Sequence, residues 1–316
     1  MSATTTGLVQ RLTRVPPAYF VFALLVLVLW AARPQLFNLN VMGVFVRQVA
    51  PLGIVVLGQL LVMNVRSIDL SAGGIILLVN YYISSEMFGS AGALWLVVIS
   101  LATGLAFGLF NGLMVGKRRA SAVIVTLAVN MILIGMVQYL ANGKPPGNVP
   151  RIFNDIYNTR LLAIPTPIVF WAVLSALTAF LLSRFVFGRF VASIGENPTA
   201  AHFSGVPVER TVILAHALSG LMAALAGLVQ TASIAVGSVR FGTDLAVNAV
   251  AATILGGVIF GRGDGGVWGP FFGVLSFALL FVVMTTFGVQ EPGKLVAQGL
   301  IILLAAIFYG LRRQSA

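Results

Sequence analysis

Residues 93–116, 120–143 and 211–239 each run for more than twenty positions without an Asp, Glu, Lys or Arg, and apolar side chains dominate all three. A stretch of that length and polarity matches one helical crossing of a bilayer, because roughly 20 apolar residues at about 1.5 Å each cover the hydrocarbon. Similar runs recur along the whole chain, which restricts it to an all-α, polytopic integral membrane protein. Hydrophobic residues make up 59% of the 316 positions, about 186 of them, enough for nine or ten crossings at roughly 20 residues each. Charged residues make up only 9%, against roughly a quarter in soluble domains, so no large soluble domain fits.

Cutting the runs at charges and at Pro or Gly clusters gives ten spans, at 17–36, 44–65, 70–88, 93–115, 121–141, 164–184, 211–231, 244–260, 267–288 and 294–311. They form a single transmembrane domain over residues 1–316. Arg11 and Arg14 ahead of Ala18–Ala32 imitate a secretory leader, but Leu29 and Ala31 make a poor cleavage pair, so the run is read as the first span.

An even number of spans puts both termini on one side, and the basic residues choose the side. With the termini inside, Arg11, Arg14, Arg66, Lys117, Arg118, Arg119, Arg184, Arg189, Arg210, Arg262, Arg312 and Arg313 lie on inner segments. Arg33, Lys144, Arg151, Arg160, Arg240 and Lys294 lie outside, and Arg47 falls within the second span. Cytoplasmic loops retain Lys and Arg, so both termini are expected in the cytoplasm. That rule also accounts for the net charge of +11, which in a soluble protein would suggest nucleic acid; none is expected as a partner here. The absence of Cys excludes disulfide scaffolds, Cys-based metal sites and cysteine nucleophiles, and two His residues are too few to suggest a metal or haem site.

Gly104, Gly108, Gly112 and Gly116 recur every four residues in the fourth span, so one helix face carries only hydrogen atoms and admits close approach of another backbone. Gly269 and Gly273 form a shorter pair in the ninth span. Two loops are long. The outer one, 142–163, contains Lys-Pro-Pro-Gly and then Arg151, Phe153, Asp155 and Tyr157, a mixture suited to a protein surface.

The inner loop, 185–210, contains Ser193-Ile-Gly-Glu-Asn-Pro-Thr-Ala-Ala-His-Phe-Ser-Gly-Val206. Asn197 suits a helix cap, Pro198 its first position and Gly205 the left-handed residue after its end. The expectation is a two-turn helix standing free in the cytoplasm, too short to be stable alone. It must therefore be docked, through Phe203, either on a partner or on its own membrane domain.

Asp69 and Asp244 each stand where a helix begins, in Ser-Ile-Asp-Leu-Ser and Gly-Thr-Asp-Leu-Ala. A carboxylate there can cap the helix and complement its dipole, or act as a gate or substrate contact. Asp69-Leu70 and Gly116-Lys117 recur as Asp244-Leu245 and Gly293-Lys294 at nearly equal spacing, a faint repeat whose copies would have inverted topology. Polar residues inside the spans include Ser71, Asn111, Thr126, Asn130 and Asn248, with Gln59, Asn64, Asn80, Gln138, Gln230 and Gln298. They suit either interhelical hydrogen bonds or sugar hydroxyls along a wet path. Gly261-Arg-Gly-Asp-Gly-Gly266 lacks the Gly-Lys-Ser/Thr ending of a nucleotide-binding loop. No such motif occurs in the chain, which is therefore expected to bind no cofactor and to hydrolyse no ATP itself.

Four stretches resemble the permease subunits of bacterial ABC importers for monosaccharides of the ribose, xylose, arabinose and galactose group. They are Ser67–Gly73, Ala122–Leu127, Gly195–Ala201 with Ser204-Gly205, and Asp244–Gly257 with Gly265–Gly269. The resemblance implies a ten-helix permease in the bacterial inner membrane, surrounded by lipid and paired with a second permease. Its further partners would be ATPase subunits carrying ATP and Mg, and an external sugar-binding protein. Gly195, Glu196, Asn197, Pro198, Thr199, Ala200, Ala201, Phe203 and Gly205 would then form the coupling helix seated on the ATPase. The sequence departs from that family at Arg66-Ser67, where members usually carry glycine.

Two other classes compete. An ion-coupled carrier needs carboxylates deep in the membrane, whereas Asp69, Glu86, Asp244 and Glu291 all fall near span ends. An intramembrane enzyme lacks a catalytic constellation. Within the importers, a nucleoside or a branched-chain amino acid is the alternative cargo.

Overall fold

A computed structural model describes residues 16–88, 92–258 and 265–314. Arg11, Arg14 and Gly261–Asp264 lie outside the described residues, as do the side chains of Glu86, Arg312 and Arg313. The helices in chain order are α1 (Pro17–Ala32), α2 (Leu39–Asn64), α3 (Ala72–Ser84), α4 (Ala93–Gly112), α5 (Ala122–Leu140), α6 (Arg151–Asn158), α7 (Thr166–Arg184), α8 (Val186–Glu196), α9 (Pro198–Phe203), α10 (Val208–Ile234), α11 (Leu245–Leu255), α12 (Trp268–Thr286) and α13 (Glu291–Gln314). A π-helical turn, Leu113–Lys117, extends α4. Each of the ten expected spans corresponds to one helix. Among the described residues six helices are long and apolar enough to cross a membrane, and α1, α3 and α11 are shorter apolar ones.

The long α10 is the hub, packed against α4, α2 and α3. The glycine ladder explains the first contact. A Cβ at Gly104 would stand 2.4 Å from the Gly220 carbonyl oxygen, one at Gly108 2.5 Å from that of His216, and one at Gly112 2.7 Å from the Ile213 Cα. Only hydrogen fits at these three positions; at Gly116 the approach relaxes to 3.0 Å, from the Glu209 carbonyl oxygen. Gly269 and Gly273 play the same part between α12 and α11, against the carbonyl oxygens of Gly256 and Ala252. On α2, Gly53 leaves room for the buried Trp171 of α7, whose ring stacks on Phe271 at 4.4 Å.

Three of the ten helices are shorter than a full crossing, α1 with 16 residues and, most markedly, α3 and α11. With 13 and 11 residues, α3 and α11 cover about 20 and 16 Å of a hydrocarbon layer about 30 Å thick. The sequence reading made them continuous over 70–88 and 244–260; the chain instead unwinds over 65–71 and 235–244. Irregular backbone at membrane depth must be enclosed by protein, because its free amides and carbonyls find no water there. Residues 65–71 are accordingly buried or half-buried, and every residue of α3 except Tyr82 is buried, whereas Val236, Arg240 and Asp244 of the second segment are exposed.

The outer loop departs from its expected exposure. It folds into α6 and a two-residue hairpin pairing Arg160–Leu161 with Ile164–Pro165. Phe153 and Tyr157, read as surface residues, are buried, one helical turn apart on the inward face of α6. This helix also accounts for Arg47. Its guanidinium lies 5.1 Å from the centre of the Tyr157 ring and donates to the Asn158 Oδ1 at 3.1 Å. Burial pushes the Tyr157 phenol above its ordinary pKa, and the Arg47 charge partly offsets this.

Candidate functional site

The inner turn is built as its residues dictate. The Asn197 side chain accepts the amides of Thr199 and Ala200, both at 3.0 Å, Pro198 opens α9, and Gly205 follows with φ +82°. The helix does not stand free, however. Ala201 is buried with Val191, Ile194, Val212 and Ala215, and Gly195 is buried at the end of α8. Those two residues face the chain's own helices, because two turns of helix hold their place only by packing. Glu196, Asn197, Thr199, Ala200, Phe203 and Gly205 are exposed, Phe203 by 85%, and Pro198 is half-buried. The outward face therefore carries a large exposed aromatic ring, tilted against His202 at 5.8 Å, among small residues.

Behind this turn, the unwound segment 65–71 and the start of α3 collect four of the polar residues singled out inside the spans, Ser71, Asn111, Thr126 and Asn130. Asp69 is fully buried and accepts three hydrogen bonds: the Ser71 amide at 2.9 Å, the Ser71 hydroxyl at 2.6 Å and the Ser219 hydroxyl of α10 at 2.8 Å. Asn111 of α4 donates to the Ser71 Oγ at 2.8 Å, and the Thr126 hydroxyl of α5 accepts the Leu70 amide at 3.0 Å. The Asn130 side chain, also on α5, accepts the Gly74 amide at 2.7 Å. That amide belongs to the first turn of α3, so the start of α3 is capped from two sides, by Asn130 of a neighbouring helix and by Asp69, which accepts the amide of the cap residue Ser71. Ser67 and His216 of α10 lie 2.8 Å apart, Oγ to Nε2. The position of Asp69 corrects its reading as a span-end carboxylate: it sits against Ser219, eleven residues and about 16 Å from the start of α10.

The second unwound segment runs antiparallel along α3. Asn80 accepts the Ser238 amide at 2.8 Å and donates to the Val236 carbonyl oxygen at 3.4 Å, while the Thr243 carbonyl oxygen closes on Gly73. The two Asp-Leu openings are thus neighbours at the α3 N-terminus. Asp244 differs from Asp69 in being exposed. It makes no side-chain capping bond to α11, and the Asn248 amide reaches its carboxylate only at 3.4 Å. An exposed carboxylate is costly against lipid and suits a polar path or a protein neighbour. Asn248 is buried, and its Oδ1 has no partner among the described residues.

The family is decided by comparison with known proteins. The sequence model of the family described as "Branched-chain amino acid transport system / permease component" matches residues 41–306. The chain belongs to this permease family. Among its relatives, the ribose import permease protein of Escherichia coli strain K12 is 29% identical over 278 residues, 87% of each chain. An autoinducer 2 import system permease protein of Klebsiella pneumoniae is 31% identical over 300 residues, 94% of this permease and 87% of the relative. The L-arabinose transport system permease protein of Escherichia coli strain K12 is 29% identical over 270 residues, 81% and 78% of the two chains. No solved structure matches this permease.

Sequence reasoning missed the pairing of Ser67 with His216 and of Asp69 with Ser219, since these partners lie about 150 residues apart. It noticed Arg66 as an inner basic residue and, with Ser67, as a departure from the family's glycine. The structure gives that departure a geometry: Arg66 has φ +62°, a backbone region that favours glycine.

Proposed function

We propose that this permease is the membrane subunit of an ATP-driven importer for a monosaccharide. It binds no cofactor itself and works with ATPase subunits that carry ATP and Mg, a second permease copy and an external sugar-binding protein in the bacterial inner membrane. The observation that carries this reading is the inner turn: α9 is anchored to the chain through Ala201 while its outer face, with Phe203, is exposed. The names of the ribose and arabinose relatives support the cargo class, with a nucleoside or branched-chain amino acid as the alternative. Closing and opening of the ATPase would move α9 and α8, and through them the segment around Asp69 and the gates. Asp244 and Asn248 line the path in this reading, while Asp69, Ser71, Asn111, Thr126 and Asn130 brace it.

A second reading, an ion-coupled carrier, is favoured by the fully buried Asp69 beside Ser219. Reconstitution in liposomes separates the two. With ATPase and binding protein present, import should require internal ATP and survive dissipation of the membrane potential and proton gradient. Accumulation by this chain alone that collapses with ionophore would overturn the importer.

A further inference from the structure

The residue that departs from the family pattern sits where the two working regions meet. From the junction of α2 and the unwound segment, the Arg66 Nε donates to the Gly195 carbonyl oxygen at 2.8 Å and an Nη donates to that of Glu196 at 2.6 Å. Those carbonyls lie in the last turn of α8, where backbone acceptors have no partner within the helix and where the helix dipole favours a cation. Asn197, the next residue, is the cap of α9. Three positions in the other direction lies Asp69, bonded to α10. One planar guanidinium therefore joins the start of the inner turn to the segment that holds the buried carboxylate.

We propose that Arg66 is a positioning residue for energy coupling, a strap that carries displacement of the inner turn into residues 67–71. The proposal rests on the reading that α9 docks on an ATPase. A shift of α8 and α9 under the ATPase pulls on the Gly195 and Glu196 carbonyls, and the guanidinium passes that pull to a backbone held in the left-handed region. Residues 67–71 then move relative to Ser219, Asn111 and Thr126. The two hydrogen bonds are charge-assisted and share a rigid fork, which suits them to transmitting direction as well as attraction.

The test uses the full complex of permease, ATPase and binding protein in liposomes, with sugar imported per ATP hydrolysed as the readout. Arg66→Gly is the informative variant, since glycine adopts φ +62° without strain while the whole side chain, guanidinium included, is removed. Arg66→Ala and Arg66→Lys accompany it, with the thermal midpoint and ATPase co-purification measured for each. The expected result is a roughly tenfold fall in sugar per ATP for the Gly and Ala variants, the scale of lost charge-assisted bonds, with partial recovery for Lys. An unchanged ratio in Arg66→Gly, with a working parent complex, overturns the strap and leaves the importer reading intact. A ratio that falls only together with the midpoint makes Arg66 a fold-holding residue and also overturns it. If the parent chain neither binds the ATPase nor couples to it, the importer reading itself fails and takes the strap with it.

Discussion

Gly104→Ala adds one carbon to α4 at the tightest point of its contact with α10. The new Cβ would lie 2.4 Å from the Gly220 carbonyl oxygen and 2.6 Å from the Ala224 Cβ, where ordinary contact begins near 3.4 Å. The helices must separate locally by about 1 Å, and because the nearer atom is backbone, no rotamer change relieves the overlap. Overpacking of this kind costs about 1–3 kcal/mol, and the better helix propensity of alanine returns about 1 kcal/mol. A net loss of up to about 2 kcal/mol, equivalent to at most a few degrees in the thermal midpoint, is expected. Gly108→Ala should behave alike, with its Cβ 2.5 Å from the His216 carbonyl oxygen. Gly116→Ala needs less room, at 3.0 Å from the Glu209 carbonyl oxygen, and should move the midpoint little. Gly135→Ala on α5 meets nothing within 4 Å and should stabilise by about 0.5–1 kcal/mol. Fluorescence-detected size-exclusion melting of the purified protein in detergent measures all four variants. The reasoning is refuted if Gly104→Ala and Gly135→Ala move the midpoint equally, because steric contact would then have no part in the difference.

Three further predictions concern the inner turn and the outer junction. Phe203→Ala should leave the chain's own midpoint within about 0.5 kcal/mol, since the ring is exposed, yet weaken ATPase co-purification by about 2 kcal/mol if the ring anchors that contact. Ala201→Arg should instead destabilise the isolated permease, because it forces a charge among Val191, Ile194 and Val212; an unaltered melt would show that Ala201 faces outward. Asn80→Leu should cost about 1–3 kcal/mol for each backbone group it orphans, the Ser238 amide and the Val236 carbonyl, and should open residues 235–244 to protease. Unchanged cleavage would place the support of that segment elsewhere.

The inner turn was legible residue by residue because its signals are local. A capping side chain acts on amides two and three positions ahead, proline suits a first turn, and glycine suits a left-handed end. The same reading went astray on Ala201, Phe153 and Tyr157, since neither helix face nor loop burial can be told without the surfaces that cover them. The polar residues of the spans were found as a set, but their division into braces and exposed groups was not. Asp69 and Asp244 share the same following residue and the same place before a helix, and one is enclosed while the other is open.

The sequence alone determined the class of protein, the ten helical segments, the expected inside and outside, and the glycine face of α4, because apolar run length, basic residues and four-residue spacing are properties of a line. Only the tertiary structure decided that α3 and α11 stop short, that Asn130 caps α3 from another helix, and that Arg66 reaches the carbonyls of Gly195 and Glu196. These features rest on hydrogen bonds between groups 56 to 130 residues apart. Such bonds form wherever packing brings donor and acceptor together, and that meeting is set by the shapes of whole helices and not by any local pattern.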